Sequence, residues 1–212
     1  MTFGAIVTEQ HPPKHSCLAG WYERADLVDS FAVQLPSGAN TNIRLIGQAI
    51  LGQPAPWFKA LLASLDRIVR LFGLQTSAEL RGKNTERDRI DFFPILSVDD
   101  NELILGEDDK YLDFRILLMI ERTGSGSAAV FATTAVRCNN QLGRIYLAAI
   151  KPFHRLVVRS HLQLAAKAAT GPIGNYRAMR GMEFPSQGMA WTMEPSFYEA
   201  PLSPDECSRP AP

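Results

Sequence analysis

Between Phe93 and Cys138 lie segments in which apolar residues recur at every second position, whereas from Ile43 to Phe72 and from Leu142 to Leu164 they recur at every third or fourth. A side-chain period of two belongs to strands and a period near 3.6 to helices, so the chain must pack a sheet against helices. Phe93 to Val98 and Glu102 to Leu105 flank Asp99-Asp100-Asn101, a hairpin signature. Tyr111 to Glu121 predicts a long strand, with Leu112, Phe114, Ile116, Leu118 and Ile120 alternating against Asp113 and Arg115. Thr123-Gly124-Ser125-Gly126-Ser127 then turns the chain into a β-branched and small strand, Ala128 to Cys138. Together these pieces predict an antiparallel meander.

After the meander, Asn139-Asn140 suits a helix cap, and Leu142, Ile145, Tyr146 and Ala149 follow at helical spacing. Pro152 is expected to kink or restart this helix, because proline removes an N–H and crowds the preceding turn. Beyond it, Phe153, Leu156, Val157, Ser160 and Leu164 predict the apolar face, and Arg155, Arg159, Gln163 and Lys167 a polar stripe. Gly171-Pro172 ends the helix.

Upstream, Leu27 to Leu35 alternates as a strand, with Phe31, Val33 and Leu35 on one side and Ser30, Ala32 and Gln34 on the other. Two helices follow: a short one from about Asn42, carrying Ile43, Ile46 and Ile50, and a longer one from Trp57 to Phe72. Residues 1–25 read as an irregular lead-in, 26–170 as one α+β domain, and 171–212 as an extended tail. That tail holds seven of the 14 prolines together with Trp191, Phe197 and Tyr198.

Composition narrows the function. The 22 basic and 22 acidic residues cancel, so the basic surplus of a nucleic-acid binder is missing. Cys17, Cys138 and Cys207 are far apart and form no CxxC pair, which argues against a disulfide framework and a cysteine-built zinc site. No charged n-region with a long apolar stretch opens the chain, and Glu121 and Arg122 close its longest apolar run. These features predict a cytoplasmic protein without a membrane span.

The order strand, two helices, antiparallel strands, long helix resembles the helix-grip fold of START-like and pollen-allergen-like ligand carriers. In that fold a curved sheet wraps around the C-terminal helix and leaves an apolar cavity. A second resemblance rests on Gly106-Glu107-Asp108-Asp109 before Leu112-Asp113-Phe114-Arg115, and on Asn140 to Leu147 leading to Pro152-Phe153-His154-Arg155. These runs are similar to an uncharacterised bacterial domain-of-unknown-function family, also found fused behind short-chain-dehydrogenase-like domains, over about residues 25–168. The resemblance implies the helix-grip superfamily and brings no catalytic residues. No GxGxxG follows a strand here, so an oxidoreductase reading has no cofactor site in this sequence.

Four residues are candidate polar anchors for a ligand: Asp113, Arg115, Tyr146 and His154. Asp113 and Arg115 share one strand face, either at a cavity rim or as a solvated outer pair. His154 carries the side chain best suited to proton transfer near neutral pH, or else sits at a helix start bonded to backbone or a carboxylate. Tyr146 offers a hydroxyl on an apolar body. Arg144 is expected to cap or to pair with Glu107, Asp108 or Asp109. His154 and His161 stand two helical turns apart, about 10 Å, too far to ligate one metal. His11, His15 and Cys17 lack a matching fourth ligand, and Glu107-Asp108-Asp109 lacks the EF-hand spacing, so no metal or cofactor is called for. Three functions fit: binding of a small apolar or aromatic molecule between sheet and C-terminal helix, a cyclase- or dehydratase-type enzyme using the same cavity with His154 or Asp113 as acid or base, and a protein-interaction module using the tail.

Overall fold

The computed structural model describes residues 5–52, 88–91, 93–122 and 126–169. The helix expected from Trp57 to Phe72 and the C-terminal tail lie outside these residues. The architecture is α+β, a curved seven-stranded antiparallel sheet with a long C-terminal helix and shorter helices. Strands β1 (Val7–Glu9), β2 (Leu27–Leu35), β3 (Arg89–Ile90), β4 (Phe93–Val98), β5 (Glu102–Asp108), β6 (Leu112–Arg122) and β7 (Ala128–Cys138) stand in the order β1-β2-β7-β6-β5-β4-β3. Helix α1 (Ala19–Tyr22) precedes β2, α2 (Ile43–Leu51) follows it, and α3 (Gln141–Ala168) closes the described chain. None of the helices among the described residues is long and apolar enough to cross a membrane.

Local chemistry explains the elements. Asp99 accepts from the backbone N–H groups of Asn101 and Glu102 through Oδ1, which folds the β4–β5 hairpin where its turn residues predict it. Asn42 Oδ1 accepts from Leu45 N at 3.0 Å and caps α2, whose Ile43, Ile46 and Ile50 are buried. Asn140 does the same for α3, accepting from Gly143 N at 3.0 Å while its own amide donates to the Lys110 carbonyl. The long β2–β7 ladder, from Leu27 opposite Val136 to Leu35 opposite Ala128, brings the first long strand onto the end of the meander.

Both faces of the sheet are covered. On the inner face Phe31, Val33, Leu103, Leu105, Leu118 and Val130 pack with Ile46 and Ile50 of α2 and with Leu162, Ala165 and Ala166 of α3. On the outer face Ile104, Leu117, Met119 and Ala135 pack beneath Leu18 and Trp21. The N-terminal stretch expected to be irregular therefore adds β1 to the sheet edge and a plug to its outer face. Burying Leu18 and Trp21 there is worth about 2–3 kcal/mol each. Cys17 N donates to Glu102 Oε2 at 3.1 Å, tying the plug to β5. Cys138, at the end of β7, is a half-buried free thiol.

Helix α3 does not restart at Pro152 but continues through it. The carbonyl that proline leaves without an intrahelical partner belongs to Ala148, and both residues are exposed. The buried stripe is also a different one: His161, Leu162, Ala165, Ala166 and Ala169 face the sheet and α2, while Phe153, Leu156 and Leu164 stay exposed. Small alanines let the helix axis approach the sheet more closely than a Phe/Leu stripe would, and close packing selects that face.

Candidate functional site

Where α3 passes over β2, polar side chains interrupt the apolar inner face. Asp29 lies on β2 opposite Thr134 of β7, and each is 8% exposed. Asp29 follows the parity of Phe31, Val33 and Leu35, so the strand aims its carboxylate at the helix rather than at water. From α3, His154 brings Nδ1 to 3.4 Å from Asp29 Oδ2, and Arg155 brings Nε to 3.6 Å from Asp29 Oδ1. The Arg155 Nη2 reaches back to Glu9 on β1. The guanidinium carbons of Arg155 and Arg159 lie 5.9 and 5.3 Å from the centre of the Phe31 ring, forming a cationic edge over a buried aromatic.

A carboxylate out of water favours its neutral form unless a partner stabilises the charge. Here the partner wins: the approach of His154 holds the Asp29 carboxyl below its ordinary range against the opposing effect of burial, with Arg155 and Lys151 adding to the pull. Asp29 Oδ2 and His154 Nδ1 are both buried and face each other at 3.4 Å, poorly aligned for a hydrogen bond and with no other hydrogen-bond partner. Buried polar atoms of this kind are uncommon and cost stability, so a pair of them on one inner face marks a site.

Of the four residues singled out by sequence, only His154 reaches this cluster. It does so from the middle of α3, not from a helix start. Tyr146 is half-buried on the same helix, about 12 Å before it along the axis. Arg115 and Asp113 point to the other side of the sheet. The Arg115 side chain is 2% exposed and grips Asp108 in a two-pronged pair, Nη1 to Oδ1 at 2.5 Å and Nη2 to Oδ2 at 3.1 Å. Its guanidinium lies 4.9 Å from the Trp21 ring centre, and Arg137 lies 3.7 Å from the same ring. The solvated outer pair expected of Asp113 and Arg115 is thus corrected: the N-terminal plug takes Arg115 out of water, and its partner is Asp108. Asp113 instead accepts from Asn139 Nδ2 at 2.9 Å, at the junction leading into α3. Arg144 approaches Asp26 at 3.9 Å and not the acidic run around Asp108.

Asp29 was missed because it stands alone among apolar residues; its parity with Phe31 was the available signal. Among the described residues no three His, Cys, Asp or Glu side chains gather closely enough to hold a metal ion.

Residues 21–161, about two thirds of the chain, match the protein family described as "Protein of unknown function (DUF2867)". The chain belongs to this family. No curated protein and no solved structure matches it. The DUF2867 match takes in Asp29, Arg115 and His154, so the inner-face cluster and the outer-face pair both lie in the family's own domain. The runs Gly106 to Asp109 and Asn140 to Leu147, which carried the resemblance, turn out to anchor α3 and to bury Arg115.

One further histidine, His161, lies 4% exposed where α3 meets the sheet, and burial holds its pKa below the ordinary histidine range. At neutral pH it is uncharged in both folded and unfolded chains. As pH falls below about 6.5 the unfolded chain takes up a proton that the folded chain resists, so stability drops with pH through this window. Asp29 adds its own loss only below the ordinary carboxylate range, near pH 4. Urea midpoints measured from pH 7.5 down to pH 5 are expected to fall, and His161→Gln is expected to flatten that slope; an unchanged slope in the variant would assign it elsewhere.

Proposed function

We propose that this DUF2867 domain binds a small, largely apolar molecule between the inner face of the sheet and the first half of α3, with the polar group of the ligand held at Asp29, His154 and Arg155. The observation that carries the reading is the buried Asp29–His154 pair, Oδ2 to Nδ1 at 3.4 Å, within an otherwise apolar face. Ligand pockets have this composition, an apolar lining with a few convergent polar groups. The element order of helix-grip carriers supports the same placement.

Native mass spectrometry of the freshly purified chain, followed by solvent extraction, tests it. A stoichiometric adduct is expected. In Asp29→Asn and His154→Ala it is expected to be lost or weakened by about 10- to 100-fold, the worth of a hydrogen bond to a charged group. An adduct retained at full strength in both variants would place the molecule elsewhere.

A second reading uses the same pair. A histidine whose Nδ1 faces a carboxylate is oriented to present Nε2 to a substrate as acid or base. That is the arrangement a cyclase- or dehydratase-type enzyme would need, with Asp29 rather than Asp113 as the carboxylate. Incubating the extracted molecule with apo-protein separates the two: recovery unchanged indicates a carrier, and conversion abolished in His154→Ala indicates an enzyme. The tail-borne interaction reading concerns residues outside those described.

A further inference from the structure

The two halves of α3 sit differently on the sheet. In the second half His161, Leu162, Ala165 and Ala166 are buried, whereas in the first half Tyr146, Ile150, His154 and Val157 are only half-buried. The sheet changes in the same direction. One cross-strand row runs from Leu103 through Leu118 and Ala132 to Phe31, and all four are buried. The next inner-face row runs from Leu105 through Ile116 and Thr134 to Asp29, and here Ile116 is half-buried. One row further on, Phe114 is half-buried too, and its ring meets that of Phe93 edge-on at 6.0 Å between centres. Strand β6 has a neighbour on each side, so these side chains are open from the inner face and not from a sheet edge. The opening leads to the Asp29–His154 pair, since Asp29 stands two strands from Ile116 in the same row, about 10 Å away.

We propose that the molecule held in this opening is an apolar monoanion, a carboxylate on a ring or short alkyl chain, and that Lys151 takes its charge. This rests on the binding reading above and adds the charge of the ligand to it. Helix α3 carries Lys151, Arg155 and Arg159 in this stretch and no Asp or Glu along its whole length. The two carboxylates that face them are already engaged, Asp29 by His154 and Arg155, and Glu9 by Arg155. Arg159 is turned onto the Phe31 ring. Lys151 forms no ion pair among the described residues. It precedes His154 by three residues, which places it about 4.5 Å away along the axis and roughly 60° around it, on the sheet-facing side of the helix. His154, with Nδ1 buried toward Asp29, leaves Nε2 to face the same group. An unclaimed cation at the rim of an apolar opening is complementary to an anion. An ammonium ligand would instead have to compete for Asp29 with the two basic side chains already beside it.

The test loads the full chain with the neutral dye N-phenyl-1-naphthylamine, which brightens in apolar sites, and displaces it with octanoate, octanol or octylammonium, chains of one length and different charge. Octanoate is expected to displace the dye at a concentration about three- to tenfold below that of octanol, as fits a charge pair at a partly wet rim. High salt is expected to narrow the gap. Lys151→Gln is expected to erase the octanoate advantage while octanol displaces as before, a split that a loss of folding would not produce. Equal displacement by octanoate and octanol would overturn the proposed charge and leave the cavity standing. So would an advantage that survives Lys151→Gln, or octylammonium as the strongest competitor. A dye that does not brighten, or that none of the three displaces, would remove the binding reading itself and this inference with it.

Discussion

Asp108→Ala is expected to lower the unfolding free energy by about 3–5 kcal/mol, the cost of leaving one member of a buried ion pair alone. The Arg115 side chain is 2% exposed and that of Asp108 is 20% exposed, so the loss falls on the member that water cannot reach. Without the carboxylate the guanidinium retains the Phe114 carbonyl at 2.9 Å and the face of Trp21, and its Nε already lacks a partner. Arg137, close to the same ring, adds like charge to the neighbourhood. A urea titration is expected to show the midpoint falling by more than about 1 M. Replacing both partners, Asp108→Leu with Arg115→Met, should recover most of the loss, because it removes the buried charge as well as its partner. A cost below about 1 kcal/mol for Asp108→Ala would mean that water reaches Arg115 and that the N-terminal plug is not seated on the sheet in solution.

The second large effect reverses an ordinary sign. Glycine inside a helix is usually worth replacing, since alanine there gains about 0.5–1 kcal/mol. Gly143 lies in the first turn of α3, where an added Cβ would stand 2.1 Å from the Tyr111 carbonyl oxygen and 3.0 Å from its carbon. Both are backbone atoms, and the same oxygen accepts from Asn139 N at 2.9 Å, so it cannot turn aside cheaply. Helix α3 would have to retreat from the β5–β6 turn, loosening the bond from Asn140 to the Lys110 carbonyl. Gly143→Ala is therefore expected to destabilise by about 2–3 kcal/mol, an overpacking cost that exceeds the propensity gain. Hydrogen exchange is expected to quicken at the start of α3 before the sheet is affected. Stabilisation instead would show that the helix does not sit so close to the turn.

The amino-acid sequence by itself determined the kind of each element and where the chain turns. Strands β4 to β7 lie where the period of two places them, Asp99 and Asn140 make the turn and the cap that their side chains predict, and Asn42 starts α2. These are local properties, decided by backbone geometry and by hydrogen bonds between residues a few positions apart. Tertiary structure decided which face of each element is inside. The run Ile116 to Ile120 is apolar in both phases, and only the docking of Leu18 and Trp21 shows that the sheet is covered twice. Helix α3 offers two apolar stripes, and close approach of its alanines to the sheet chose the one that sequence spacing did not favour. Arg115 became a buried structural cation because Asp108 and Trp21 converge on it from separate elements. Asp29 and His154 meet from positions more than a hundred residues apart. Contacts of that range depend on how layers stack and how close two backbones come, and neither is encoded in the spacing of residues along one element.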